Sequence, residues 1–262
     1  TSSGLMMLPL EGGISFMLDV PTESSHEIHG VVRGLCPVYK GLALIGEGMG
    51  IAGVVGITGR KTLFPLDAQT TTICDVIFRK IELNGLSIKY FANIVVDKPY
   101  RAAHKLFRQF YLGSDFFRPL SYLVMATRSV AVKSRYHRIS SFGSVEIRYE
   151  IDGRSISVAV RRKTFGKFKI LVANELSGRL FSRLRVNDSP VRFKPWMKIE
   201  KGPVELRSPL LNLAMEIEKP DDVTAYAGRE VLMNWLDWAG ISFELPPERD
   251  TLNYQVVFRP IE

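Results

Sequence analysis

Residues 144–162, SVEIRYEIDGRSISVAVRR, decide the fold class. Apolar and polar side chains alternate on both sides of Asp152-Gly153, a dipeptide typical of tight hairpin turns. Alternation with a period of two marks a strand with one face on the core and the other in solvent. The stretch therefore predicts an antiparallel hairpin, with an apolar face made of Val145, Ile147, Tyr149, Ile156, Val158 and Val160.

Turn residues recur elsewhere along the chain. Asn84-Gly85 separates two apolar runs and predicts another hairpin, because this dipeptide suits a two-residue turn. Leu176-Ser177-Gly178 predicts a third hairpin, between residues 168–175 and 179–186. Many short strands with turns between them favour a mainly β protein, either an antiparallel barrel or a β-sandwich.

This arrangement resembles the lipocalins loosely, in architecture alone, and the resemblance implies a cavity that holds a small apolar ligand. We expect one β-rich unit over residues 1–262. The alternative is two β halves, 1–96 and 139–262.

Residues 97–138 interrupt the β pattern and predict a helical insertion. Over 99–112 one helical face is basic and another is aromatic, Pro99 suits the first turn, and Gly113 suits the end. A short helix is also expected over residues 229–239, ended by Gly240.

The net charge of +8 is unevenly distributed along the chain. Residues 97–138 hold nine Lys and Arg against two Asp, and residues 161–198 hold eleven against two acids. Such segregation favours an anionic partner: a phospholipid surface, a nucleic acid or an acidic substrate. Nucleic acid is the less favoured partner, because no nucleic-acid-binding motif accompanies the basic segments. Within the insertion, the expected membrane or polyanion surface is formed by Arg101, Lys105, Arg108 and Arg118.

The glycine-rich stretch GEGMGIAGVVGITGRKT, residues 46–62, contains a G-x-G-x-x-G pattern. A dinucleotide loop needs a helix directly after these glycines, and the following residues are β-branched and punctuated by glycine. Arg60 also spoils a phosphate-binding G-K-T. The glycines instead suit bent strands or a backbone that another group approaches closely, so we expect no cofactor.

Glu47 lies among these glycines and is the leading catalytic candidate. On a strand it shares an apolar face with Met49, where a carboxylate needs either a partner or a raised pKa. Arg60 and Lys61 are the expected counter-charges, and Lys61 is a second catalytic candidate because a neighbouring cation can lower the pKa of its amine. Met49, Arg60, Asp75 and Arg79 are expected to contact a ligand.

Two cysteines without a C-x-x-C motif exclude a disulfide scaffold and a cysteine-rich zinc site. His26 and His29 would point to opposite faces of a strand, so no metal site is expected. Residues 41–59 are apolar but hold six glycines and Glu47, which makes a poor membrane-spanning helix. We expect a cytoplasmic protein that can contact a membrane surface through its basic insertion.

Three hypotheses for the function follow. The first is binding of a hydrophobic small molecule, lipid or isoprenoid-like, in a barrel or between two sheets. The second is an enzyme that acts on a small molecule in the same cavity, with Glu47 as acid or base. The third is a module that binds a polyanion or nucleic acid through residues 98–138 and 161–198.

Overall fold

The computed structural model describes residues 8–9, 13–18, 31–58, 61–88, 136–164, 168–194, 196–231 and 237–261. These residues form eighteen strands, and no helix occurs among them. The first nine strands are β1 (Leu8–Pro9), β2 (Ile14–Met17), β3 (Cys36–Tyr39), β4 (Leu42–Ala43), β5 (Gly50–Thr58), β6 (Lys61–Ile73), β7 (Val76–Ile88), β8 (Tyr136–Asp152) and β9 (Ser155–Thr164). The other nine are β10 (Lys169–Ser177), β11 (Arg183–Val186), β12 (Ser189–Val191), β13 (Met197–Ile199), β14 (Pro203–Ser208), β15 (Leu213–Glu218), β16 (Thr224–Val231), β17 (Asp237–Leu245) and β18 (Thr251–Pro260).

Fourteen strands form one antiparallel sheet, in the order β12-β11-β14-β15-β18-β9-β8-β7-β6-β5-β10-β17-β16-β13. Strands β1 to β4 form a small second sheet. Within the described residues the two end strands of the large sheet, β12 and β13, do not pair with each other, so the sheet is open. The structure therefore supports the sandwich alternative and gives no support to a closed, lipocalin-like barrel.

The large sheet folds over on itself, because strands far apart in its order touch through their side chains. The Tyr254 hydroxyl on β18 donates a hydrogen bond of 2.9 Å to Asn174 Oδ1 on β10. The rings of Phe243 on β17 and Tyr254 pack edge to face, with centroids 4.9 Å apart. These contacts join two layers around a continuous apolar core, as in a β-sandwich.

The hairpin at residues 144–162 is confirmed. Strands β8 and β9 pair through Ile147 with Val160 and Tyr149 with Val158, and all four side chains are buried. The loop consists of Gly153 and Arg154, and Gly153 adopts a φ of 54°. The alternation of apolar and polar residues therefore predicted both the strand pairing and the buried face correctly.

The hairpin predicted at Asn84-Gly85 is wrong. Strand β7 continues through both residues, and the chain reverses earlier, at Cys74 and Asp75 between β6 and β7. Because β6 and β8 both extend past this point, Asn84-Gly85 becomes an irregularity in the ladder, with register shifts on either side of Asn84 against β8.

The hairpin predicted around residues 176–178 is also wrong. Strand β10 pairs with β5 and β17, whereas β11 pairs with β12 and β14. After β10 the chain makes a tight turn in which Phe181 N–H donates to Ser177 O, and the Phe181 side chain is fully buried. Burial of this ring directs the chain away from β10 and into the other layer.

The helix predicted over residues 229–239 is replaced by two paired strands where the structure describes it. Strands β16 and β17 pair from Val231 with Asp237 onwards, and Gly228 lies opposite Gly240 in their ladder. Pairing with β10 and β13 on the outer sides overrides the local helical pattern.

The predicted insertion lies almost entirely outside the described residues, apart from residues 136–138, which belong to strand β8. The surface residues Arg101, Lys105, Arg108 and Arg118 fall in the part that is not described. Among the residues that the structure does describe, no helix is long and apolar enough to cross a membrane.

Candidate functional site

The glycines of residues 46–56 allow close backbone contacts, and β5 is followed by another strand. A Cβ atom on Gly48 would lie 2.7 Å from the carbonyl oxygen of Glu175, and one on Gly50 would lie 2.7 Å from that of Leu35. Gly34, across from β5, is tighter still, since its Cβ would lie 2.0 Å from Ile51 O. The absent side chains thus let the turn before β5 lie directly against β10.

Glu47 lies in this turn, rather than on a strand as the sequence pattern predicted. Its side chain is 17% exposed, and its Oε2 is 3.8 Å from Nη2 of Arg33. Arg33 is buried and also donates from Nη1 to the Gly46 carbonyl at 3.2 Å. Arg33, which precedes β3 in the chain, is therefore a counter-charge of Glu47 within the described part of the chain.

Arg79 holds the backbone of Arg33 in place. Its guanidinium is almost fully buried and donates to the Arg33 carbonyl at 2.6 Å and to Thr70 Oγ1 at 3.3 Å. Two buried arginines thus support the turn that carries Glu47, one through its side chain and the other through a backbone oxygen.

Glu175 on β10 is the second carboxylate of this cluster. Its Oε2 accepts a hydrogen bond of 3.0 Å from Met49 N–H, and its Cγ packs over Gly240 of the neighbouring strand. The pKa of Glu175 is raised to about 7, chiefly by burial and to a smaller extent by nearby Glu230, although the Met49 hydrogen bond and Arg33 act in the opposite direction. A carboxyl group with such a pKa can both release and accept a proton near neutral pH.

The structure places the other predicted site residues apart from one another. Met49 is buried and enters the cluster through its backbone N–H. Asp75 is exposed in the turn between β6 and β7, whereas Arg79 is buried, so these two do not form one site. Lys61 begins β6, where its backbone pairs with Thr58, and Arg60 lies outside the described residues.

The sequence reasoning missed Arg33 and Glu175. Glu175 occurs in KILVANELS, where Ile170, Val172, Asn174 and Leu176 are buried, so the alternation alone places Glu175 on the opposite face of β10. Its meeting with the turn at residues 46–48 depends on pairing between β5 and β10, strands more than a hundred residues apart. No local pattern reveals such a pairing.

A second feature is a groove of about 680 Å³ lined by five arginines. The lining contains no acidic residue, and its apolar part includes Leu184, Pro190, Val191 and Phe193. The arginines come from strands β11, β14 and β16 and from the segment after β12: Arg183, Arg185, Arg192, Arg207 and Arg229.

Three of these arginines have acidic partners beneath the groove. Glu205, with only 6% of its side chain exposed, lies 2.6 Å from Arg207 Nε and 3.9 Å from Arg185 Nη1. Arg229 forms a two-pronged ion pair with Asp237, at 2.8 and 2.5 Å. Set against Glu205 and Asp237, the five arginines leave the groove with a net charge of +3.

The side chains of the remaining two arginines, Arg183 and Arg192, are exposed and make no hydrogen bond or ion pair with any residue that the structure describes. Arg183 pairs directly opposite Arg207 in the β11–β14 ladder. Like charges directly opposite each other destabilise a sheet. The groove therefore concentrates positive charge at a cost in stability.

A smaller cavity of about 430 Å³ has the opposite character. It lies over β15 and β18 and is lined by Glu216, Glu218, Asp221 and Lys219, together with polar residues of β18. Within the described ranges, no group of three His, Cys, Asp or Glu side chains could hold a metal ion.

No protein family matches this sequence, and no curated protein matches it either. Solved structures with similar folds include a 4-α-glucanotransferase from Thermococcus litoralis, which is 10% identical with a TM-score of 0.47. The match covers 98% of this chain but only 38% of the glucanotransferase. A galactose mutarotase-like protein from Lactobacillus casei is 8% identical with a TM-score of 0.45, and 98% of this chain and 100% of that chain are covered. The protein Slr1438 from Synechocystis is 10% identical with a TM-score of 0.42, and the match covers 99% of this chain and 97% of Slr1438. At these identities and scores the likenesses carry no argument about activity.

Proposed function

We propose that this protein binds a phosphate-bearing polyanion in the arginine groove. The observation that carries the proposal is the set of five arginines around one cavity with no acid in its lining, two of them without a partner in the described chain. Guanidinium groups match the oxygens of phosphate through paired hydrogen bonds and keep their charge at any physiological pH. The third hypothesis drawn from the sequence placed a polyanion on residues 98–138 and 161–198. The groove takes Arg183, Arg185 and Arg192 from the second of these segments and adds Arg207 and Arg229 from outside both.

We expect the groove to recognise phosphates rather than bases, because its lining offers few aromatic rings on which a base could stack. Phe193 is the one aromatic residue in the lining, and it packs against the core. Binding of single strands by stacking requires aromatic faces open to the ligand. The groove thus offers charge and hydrogen bonds to a polyanion.

The proposal is tested by titration calorimetry with long-chain inorganic polyphosphate at increasing salt. Binding should weaken as salt rises, because bound phosphates release counterions. The double variant Arg183→Gln/Arg192→Gln should lose about tenfold in affinity, since two exposed contacts of about 0.7 kcal/mol each sum to that factor.

The matched control is Arg154→Gln/Arg161→Gln, which removes the same charge from two exposed arginines outside the groove. It should bind as the wild type does. Equal losses in both double variants, or no binding at low salt, would refute a groove site. Tighter binding of a single-stranded oligonucleotide than of polyphosphate of equal charge would replace the proposed ligand by nucleic acid.

A second candidate function is acid–base chemistry at the cluster of Glu175, Glu47 and Arg33. The observation in its favour is that Glu175 is partly buried and that its Oε1 accepts no hydrogen bond from the described residues. Glu175 replaces Glu47 as the proton-exchanging group, and Glu47 pairs with Arg33. Carbodiimide and a labelled amine modify protonated carboxyl groups, so Glu175 should be labelled at pH 7 in the native protein. Its absence from the labelled peptides would end this candidate.

Binding of a hydrophobic small molecule stays a prediction. Both cavities described above have charged side chains in their lining, and the arginine groove also exposes apolar ones.

A further inference from the structure

The arginine groove lies where the two ends of the large sheet come together. Strand β12 is at one end of the sheet and β13 is at the other, yet they follow each other in the chain. The segment between them, of which the structure describes residues 192–194 and 196, leads from one end to the other. We call this crossing the seam.

The lining of the groove comes from both sides of the seam. Strands β11, β12 and β14 belong to the first end of the sheet; β11 and β14 contribute Arg183, Arg185 and Arg207, and β12 contributes Pro190 and Val191. Strand β16, next to β13 at the other end, contributes Arg229. Arg192 lies on the crossing segment itself.

Among the described residues, one backbone hydrogen bond joins the crossing segment to β16. Lys194 O accepts a bond of 3.2 Å from Arg229 N–H, and β13 pairs with β16 over three residues. A short strand at the end of a sheet is held by little more than its own ladder and opens more readily than a central one.

We infer that the ligand of the groove is a linear polyanion that spans the seam and holds the two ends of the sheet together. The inference rests on the proposed function and adds the shape of the ligand and its effect on the protein. A single phosphate can neutralise the facing pair of Arg183 and Arg207. A ligand with several linked charges also reaches Arg192 and Arg229, and a groove of about 680 Å³ falls in the range that encloses ligands of such size.

Linked charges have a second advantage over separate ions. Once one phosphate occupies the first end of the sheet, its covalently attached neighbour is at a high effective concentration for the other end. A chain of phosphates therefore stabilises the closed seam, while free phosphate ions bind each end without coupling the two.

The experiment is hydrogen–deuterium exchange, followed by mass spectrometry of peptides from residues 189–199. The protein is compared alone, with inorganic tripolyphosphate, and with orthophosphate at the same total phosphate concentration. If the seam can open only after the ligand has left, deuterium exchange of residues 189–199 should slow about tenfold at a ligand concentration ten times Kd. We expect this protection with tripolyphosphate and little with orthophosphate.

Two variants sharpen the comparison. Arg192→Gln removes the charge on the crossing segment and should reduce the protection of residues 189–199, even at concentrations that restore occupancy, while Arg229 still binds the ligand at the other end. Arg154→Gln, at the turn between β8 and β9, should keep it.

The outcomes separate the inference from the proposed function. Calorimetric binding of tripolyphosphate without protection of residues 189–199, or equal protection by orthophosphate, would overturn the bridging ligand and leave the arginine groove standing. Absence of binding by either anion would overturn both.

Discussion

Replacement of Glu175 by Gln should stabilise the protein at alkaline pH. Burial raises the pKa of Glu175 from 4.5 to about 7. The native carboxyl group therefore holds its proton more tightly than the unfolded one, and the protein loses stability as the pH rises from 4.5 to 7. Each pKa unit corresponds to about 1.4 kcal/mol, so the full effect is about 3 kcal/mol, and partial access of water reduces it to about 2 kcal/mol.

The glutamine side chain has no proton to lose in this pH range, and its amide oxygen can accept the Met49 N–H in the same position as Oε2 of Glu175. Glu175→Gln should thus match the wild type near pH 4.5 and exceed its free energy of unfolding by about 2 kcal/mol at pH 8. The assay is urea unfolding from pH 4.5 to 8, followed by the fluorescence of the three tryptophans.

The control is Glu218→Gln, which removes an exposed carboxylate at the end of β15 and should leave the pH profile parallel to that of the wild type. A Glu175→Gln variant that is less stable than the wild type at pH 8 would refute the reasoning. It would show that Met49 N–H and Arg33 stabilise the charged carboxylate more than burial penalises it.

Three further predictions concern contacts that shape the groove, the turn and the core. Glu205→Gln should lower the free energy of unfolding by about 2 kcal/mol, since it removes a buried counter-charge, and should tighten polyphosphate binding; calorimetry that shows weaker binding would contradict this. Gly34→Ala should cost about 3 kcal/mol in urea unfolding, because the new Cβ would lie 2.0 Å from Ile51 O; a cost below about 1 kcal/mol would mean that the backbone moves freely there. Tyr254→Phe should cost about 1 kcal/mol by thermal unfolding, as Asn174 Oδ1 loses a buried donor, and an unchanged Tm would show that another group replaces the hydroxyl.

Local patterns predicted the parts of the fold that local forces determine. The apolar alternation around Asp152-Gly153 was sufficient for the β8–β9 hairpin, because the turn and both strands are adjacent in the chain. The prediction at Asn84-Gly85 failed because β7 lies between two long strands and pairs with both. In that position the turn dipeptide forms an irregularity within the strand instead of a hairpin turn. The predicted helix at 229–239 failed for a related reason, since pairing with strands elsewhere outweighs propensity.

The candidate sites were predictable only in part. Glycine spacing indicated a close approach of backbones near Glu47, and the structure has that approach, with Glu175 as the residue that comes close. Charge counting indicated an anionic partner for residues 161–198. It could not separate Arg183 and Arg192, which line the groove, from Arg162, which is buried and binds the carbonyls of Phe168, Leu245 and Pro246.

The short end strands at the seam also bear on self-association. An open sheet of fourteen strands presents two edges, and an exposed edge can recruit a strand from another molecule and start aggregation. Here each end strand is only three residues long, β12 contains Pro190, which has no N–H to donate, and β13 carries the exposed Lys198. The two end strands at the seam thus offer a second copy little to which it could add a strand.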